Sequence, residues 1–370
     1  MINPSAFYNC CLKSGISFFC GVPDSLLKSF CAFLTDNCAG KHVITANEGG
    51  AIGLATGHTL ATGEPVLVYM QNSGQGNAVN PLTSLVDPDV YSIPMILLIG
   101  WRGEPGTKDE PQHVKQGKVT CSLFETLSIP TTVLSDDKTL ALSELSAAIQ
   151  LAKTESRPVA LVVRKGLFTD YALTKKDADV ASIKRESVIE EIVRTLPTNA
   201  VIISTTGMIS REVYEVRERF GQGHGQDFLT VGAMGHASMI ALGIAKAQPH
   251  RLVVCLDGDG ASIMQMGNMA IAAQARCANL VHIVLNNGAH DSVGGQPTVG
   301  AAIQLPSIAE AMGYHVISPE TPLVALFQMP TVSATRFMEI KVAKGARKDL
   351  GRPKESPQEN KRLFMENLQQ

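Results

Sequence analysis

The sequence predicts an α/β protein made of two doubly wound parallel-sheet domains, and three observations carry that prediction. Strand-like apolar runs alternate with helix-like segments through both halves of the chain, as a parallel sheet covered by helices requires. A polar stretch with no sustained apolar period, residues 164–184, separates the halves. The strands end in polar, glycine-rich turns, and parallel strands gather such turns at one carboxyl edge, where open α/β sheets bind ligands. The domains are therefore expected at 1–163 and 185–370, with 164–184 as the linker.

In the first half, strands are expected at 17–21, 42–45, 65–70, 93–100 and 159–163. Helices are expected over 24–34, from Asn47 and near 78–85. The second half restarts with a helix from Arg185, a strand at 200–203 and helices near 210–220 and 237–247. Residues 251–295 organise the rest. A strand at 252–256 ends in Asp257-Gly258-Asp259-Gly260, and after a helical segment a strand at 280–285 ends in Asn286-Asn287. A helical crossover makes these strands parallel, so both turns share one edge. A helix near 307–312 and strands at 315–317 and 336–342 close the domain. The tail from Arg347 holds few apolar residues and is expected to pack irregularly on the surface.

Composition narrows the function classes. With 45% hydrophobic and 18% charged residues the chain has ample core for a globular protein. A net charge of −2 makes no electrostatic case for nucleic acid or an acidic membrane, and basic runs such as Lys175-Lys176 are short. No apolar run reaches the roughly 18 residues of a membrane span, and the N-terminus lacks a basic-then-apolar leader. The eight cysteines form no C-x-x-C pair and no zinc spacing. Free thiols in a cytoplasmic protein are the expectation.

The acidic turn fails the dinucleotide fingerprint, because Ile263 stands where its third glycine belongs. Two carboxylates repel a polyphosphate unless a divalent cation intervenes. An aspartate, an asparagine amide oxygen and a backbone carbonyl make a hard all-oxygen site that suits Mg²⁺ or Ca²⁺; solvated acids on a surface turn are the plain alternative. In the first half, Asn47 reads as an N-cap with Glu48 in the first turn. Yet Gly49, Gly50, Gly53 and Gly57 cost that helix about 1 kcal/mol each against alanine, which suits close approach by a cofactor or a partner helix. Gly74-Gln75-Gly76-Asn77 follows one strand, and Gly21-Val22-Pro23-Asp24-Ser25 follows another, with Asp24 or Ser25 as an N-cap. The long loop from Gly100 to His113 carries Arg102, Lys108 and His113, which could grip an anionic substrate. Ser204-Thr205-Thr206-Gly207 could take phosphate oxygens at a helix start. Gly232-Ala233-Met234-Gly235 precedes a small-residue helix, and His290 and Asp291 put titratable groups beside the proposed metal.

Together these stretches resemble the thiamine-diphosphate-dependent decarboxylases. Gly258-Asp259-Gly260 and Asn286-Asn287 match that family's metal motif. The resemblance implies Mg²⁺ held by Asp259, the Ala289 carbonyl and Asn287 or Asn286, with thiamine diphosphate against Gly258, Gly260 and Ala261. It implies Glu48 as the glutamate that protonates the aminopyrimidine N1′, Gly74 to Asn77 as the turn near the cofactor, and Met234, beside Gly232, as the side chain that bends it. Thr206 and Gly207 join the cofactor-binding set. The GVPDS, NEGGAIGLA and NNGAHDSVGGQPT stretches resemble the short branch without a middle domain, whose substrates are phosphonopyruvate and sulfopyruvate. Two departures stand out. Gln71 and Gln112-His113 occupy places where better-known relatives carry a histidine and a His-His pair. Asp24, Ser25, His113 and His290 are accordingly the candidates for proton transfer, and Arg102, Lys108 and His113 for the anionic head. The family builds its site between subunits, which implies a homodimer or larger homo-oligomer. A non-catalytic cofactor-binding protein and a carboligase are the rival readings.

Overall fold

The computed structural model describes residues 1–174, 180–330 and 332–370, so Lys175-Lys176 lies outside the described residues. The chain forms two compact units, Met1–Lys176 and Asp177–Gln370. In the first, β1 (Phe19–Gly21), β2 (His42–Ile44), β3 (Val66–Gln71), β4 (Met95–Gly100), β5 (Thr131–Val133) and β6 (Pro158–Val163) form one sheet. Its order is β2-β1-β3-β4-β6-β5 and every pairing is parallel. The second unit holds β7 (Val201–Ser204), β8 (Asp227–Leu229), β9 (Val253–Gly258) and β10 (Leu280–Asn286). After a small antiparallel ribbon of β11 (Ala289–His290) and β12 (Gln296–Pro297) come β13 (His315–Val316) and β14 (Arg336–Lys341). The large sheet runs β13-β14-β10-β9-β7-β8, again all parallel.

Read from its β8 end, the second sheet repeats the first strand for strand. Two halves without a visible sequence repeat therefore share one topology. In each sheet the winding reverses beside the first strand, between β1 and β3 and between β7 and β9. Such a switch point opens a crevice at the carboxyl edge.

Burial on both faces explains why the central strands read as unbroken apolar runs. On β3, Leu67 and Tyr69 enter one core of the first unit, while Val66, Val68 and Met70 enter the other. On β9, Val254 and Leu256 face one core of the second unit, and Val253 and Cys255 the other. Within the expected linker, Leu167 and Phe168 are buried in the first unit's core, and the next helix begins at Arg185. All eight cysteines are free. No helix among the described residues is long and apolar enough to cross a membrane.

The tail corrects an expectation. Residues Pro357–Leu368 form a helix, capped by the Ser356 hydroxyl accepting from the Glu359 amide. Phe364 is buried against Phe228. The Asn360 side chain donates to the Asp227 carbonyl at 2.8 Å and accepts from the Leu229 amide at 3.1 Å. One asparagine thereby satisfies the open edge of β8, as a further strand would.

Candidate active site

In the first unit, the carboxyl ends of β1, β3 and β4 collect most of the first-half candidates. Asn47 caps the helix Glu48–Thr62, its side chain accepting from the Gly50 amide at 2.8 Å. This fixes Glu48 as the first helical residue, 4% exposed. Asn77 donates to Glu48 Oε2 at 2.7 Å. Burial pushes the Glu48 carboxyl up, and the Asn77 bond only partly offsets that. A Cβ on Gly74 would stand 2.2 Å from Glu48 Oε1, so only glycine leaves the carboxylate its place. Gly76 faces open space, as do Gly53 and Gly57; nothing among the described residues packs on the two helical glycines.

Asp24 is fully buried. It does not cap a helix. Its Oδ2 accepts from the Leu26 and Leu27 amides, closing a turn, and the helix starts later, at Lys28. Its Oδ1 accepts from Gln71 Nε2 at 3.0 Å. Burial raises this carboxyl, against the pull of those amides and of Arg102. The long loop is shorter than the sequence suggested, because a helix begins at Pro111 with proline in its first turn. Arg102 and His113 meet on Asp109, a residue the sequence reading passed over. Lys108 is exposed and does not join them. Arg102 Nη1 donates to Ser25 Oγ at 2.8 Å. The turn after β3 connects the two groups of residues. Asn72 donates to the Arg102 carbonyl at 2.7 Å, and Gln116 bridges Asn72 and Gln75, two residues before Asn77.

In the second unit, the ends of β7, β9 and β10 hold the remaining candidates. Asp259 opens a short helix, Asp259–Met264, and is 2% exposed. Burial pushes its carboxyl up to about 6, although Thr298 and the Asn287 amide donate to it. A Cβ on Gly300 would stand 2.4 Å from Asp259 Oδ2. Thr298 and Gly300 lie about forty residues downstream (positions 298 and 300 against 259), and no local pattern points to them. Asn286 is fully engaged: its Nδ2 donates to the Gly300 carbonyl and to Glu339, and its Oδ1 accepts from the Gly288 amide. Asn287 Nδ2 donates to Asp291 at 2.6 Å, and Asp291 also accepts from Arg185, which forks Glu212. Asn287 is thus oriented through its nitrogen. Among the described residues its oxygen accepts only a 3.1 Å bond from the Ala289 amide. His290 lies over Gly260, 3.2 Å from where a Cβ would be, and burial lowers it to about 4.

Above β7, Gly207 has φ +98° before the helix Met208–Arg219, and Thr206 Oγ1 accepts from the Gly232 amide at 3.1 Å. Ala233, at φ +45°, is a non-glycine in the left-handed region, a cost of about 1–3 kcal/mol that clusters at ligand clamps. Beside it Met234 is half-buried.

The residues present fit the implied groups. A buried Asp259 carboxylate with hydroxyl and amide donors but, among the described residues, no cation partner carries an uncompensated charge, which a divalent ion balances. Glu48, buried and raised, with its clearance kept open by Gly74, suits proton sharing with a heterocyclic nitrogen.

Comparison with known proteins agrees. The model of the thiamine pyrophosphate enzyme N-terminal TPP-binding domain matches residues 5–122, and that of the C-terminal TPP-binding domain matches residues 205–329. A phosphonopyruvate decarboxylase of Streptomyces hygroscopicus is 34% identical over 95% of this chain and 90% of its own. Another, from Streptomyces viridochromogenes, is 34% identical over 95% and 91%. A sulfopyruvate decarboxylase of Methanosarcina acetivorans is 26% identical over 96% and 95%. The chain belongs to the thiamine pyrophosphate enzyme family, among its decarboxylases that have two α/β domains and no middle domain.

Proposed function

We propose that this protein is a thiamine-diphosphate- and Mg²⁺-dependent decarboxylase of 3-phosphonopyruvate, releasing CO₂ and phosphonoacetaldehyde. The observation that carries the reading is Glu48, buried, raised by burial and kept clear by Gly74. The 34% identity to phosphonopyruvate decarboxylases over nearly the whole chain supports the substrate. Asp259, Asn287 and the Ala289 carbonyl would hold the metal. Asn286 is the weaker candidate, because both ends of its amide are committed to the protein. Thr206, Gly207, Gly232, Met234, Gly258, Gly260 and Ala261 would line the cofactor on the second unit's side, and Gly74 to Asn77 on the first unit's side.

Thiamine diphosphate, when bound, supplies the electron sink for the bond that loses CO₂. Glu48 shares a proton with the pyrimidine nitrogen. Buried Asp24, held by Gln71, is the favoured proton carrier, and Ser25 and neutral His290 are the alternatives. Arg102 donates to the anionic head; His113 reaches it only through Asp109, and Lys108 draws anions from the surface. The substrate is a small 2-oxo acid, and assembly into at least a dimer belongs to the proposal.

The test is Glu48→Gln. It should lose about a hundredfold or more in kcat, the range of a positioned acid–base, while still binding the cofactor. Full activity with cofactor bound would overturn the reading. A second reading, sulfopyruvate decarboxylase, draws on the 26% identical relative. Rates on the two oxoacids, measured side by side, separate them.

A further inference from the structure

The phosphonate head should be recognised by an arginine, yet Arg102 does not stand free. Asp109 accepts from Arg102 Nε at 2.8 Å and Nη2 at 2.5 Å, and from His113 Nδ1 at 2.9 Å. It also accepts from the Gly103 amide at 2.7 Å and the Glu110 amide at 2.7 Å. Burial raises the Asp109 carboxyl, but these donors outweigh it and hold the group well below the usual carboxylate range. Asp109 is a fixed anion, anchored to backbone on both sides of the loop.

A guanidinium carries five N–H donors in one plane. Asp109 takes one edge of that plane, through Nε and Nη2, and Ser25 Oγ takes one donor of Nη1. That leaves one N–H on each terminal nitrogen, and among the described residues neither has a hydrogen-bond partner. The Ser25 hydroxyl, having accepted from Arg102, keeps its own O–H to donate. Two arginine donors and one hydroxyl donor thus stand together beside the ends of β1 and β4. Three donors suit a tetrahedral head with three oxygens.

Resting on the reading of the substrate above, we propose that Asp109 is a positioning and specificity-determining residue, which aims the outer fork of Arg102 and the Ser25 hydroxyl at an oxyanion head on the 2-oxo acid. Because Asp109 neutralises Arg102, the pocket attracts anions less by net charge than by donor direction. It favours a phosphonate-type head over 2-oxo acids that lack one.

The chain reports on this itself. Its only tryptophan, Trp101, adjoins Arg102 and donates to the Gly117 carbonyl at 2.8 Å. Phosphonoacetate titrated into the full chain should therefore change Trp101 fluorescence. Asp109→Asn should weaken that binding about tenfold or more, as loss of a charge-assisted bond does. With cofactor and Mg²⁺ loaded, the same variant should raise KM for phosphonopyruvate about tenfold and leave kcat within about twofold. Turnover of pyruvate, which has no head, should stay within about twofold of wild type, and Asp109→Glu should recover part of the loss. Unchanged affinity in Asp109→Asn, or an equal fall on both substrates, would overturn the proposal, as would a wild-type protein whose Trp101 ignores phosphonoacetate. If phosphonopyruvate is not turned over but phosphonoacetate binds in an Asp109-dependent way, the substrate reading fails and this inference stands.

Discussion

Glu48 shows how one residue's surroundings set its chemistry. The folded protein holds its proton more tightly than the unfolded chain does, because burial disfavours the charge. By linkage, that preference helps stability below the ordinary carboxylate value of 4.5 and is lost as pH rises through the raised value. Glu48→Gln removes a charge that is costly at high pH. Cofactor-free Glu48→Gln should therefore melt at or above the wild-type temperature at pH 8, with the gap closing toward pH 4. A variant that melts clearly lower at pH 8 would contradict burial as the cause. The same scale gives a steric test. Gly74→Ala must displace the Glu48 carboxylate, since its Cβ would meet Oε1 at 2.2 Å and Cδ at 2.5 Å. Gly74→Ala should lower kcat/KM by about tenfold or more, the scale of a lost positioned contact. A wild-type kcat/KM in that variant would contradict the placement of Glu48.

At the scale of elements, the legible parts are those where one physical demand dominates. The inner strands β3, β4, β9 and β10 are buried on both faces, so their apolar runs stand out in the sequence. The helix Glu48–Thr62 is visible from its Asn47 cap, and the helix Ala237–Ala247 from its small residues. The C-terminal helix was not visible, because it turns few apolar side chains inward and makes its polar anchor through Asn360. Phe364→Ala should cost about 3 kcal/mol as a buried aromatic truncation, read as a lower denaturation midpoint; no change would mean the helix does not pack as described. Asp109 was missed for a different reason. It is one of several charges in the loop from Gly100 to His113, and only the folded loop shows it joining Arg102 and His113. Asp109-Glu110 before Pro111 is itself a helix-start signal. Thr298 and Gly300 carry no comparable signal, because they reach Asp259 only through the return of the β11–β12 ribbon.

At the scale of the molecule, two sheets of one topology each place a set of functional candidates at the carboxyl edge beside the switch point. Glu48 and Asp24 sit in one unit and the metal candidates in the other. The family resemblance reads such a division as an assembly of chains, so sedimentation at micromolar concentration should give a dimer or larger; a monomer that retains full activity would contradict that part of the proposal. The central claim is decarboxylation. It is tested most directly by CO₂ release from a panel of 2-oxo acids in the presence of Mg²⁺ and thiamine diphosphate. Cofactor-dependent CO₂ release should be fastest with 3-phosphonopyruvate and slow with pyruvate. Bound cofactor without CO₂ release from any 2-oxo acid would contradict it.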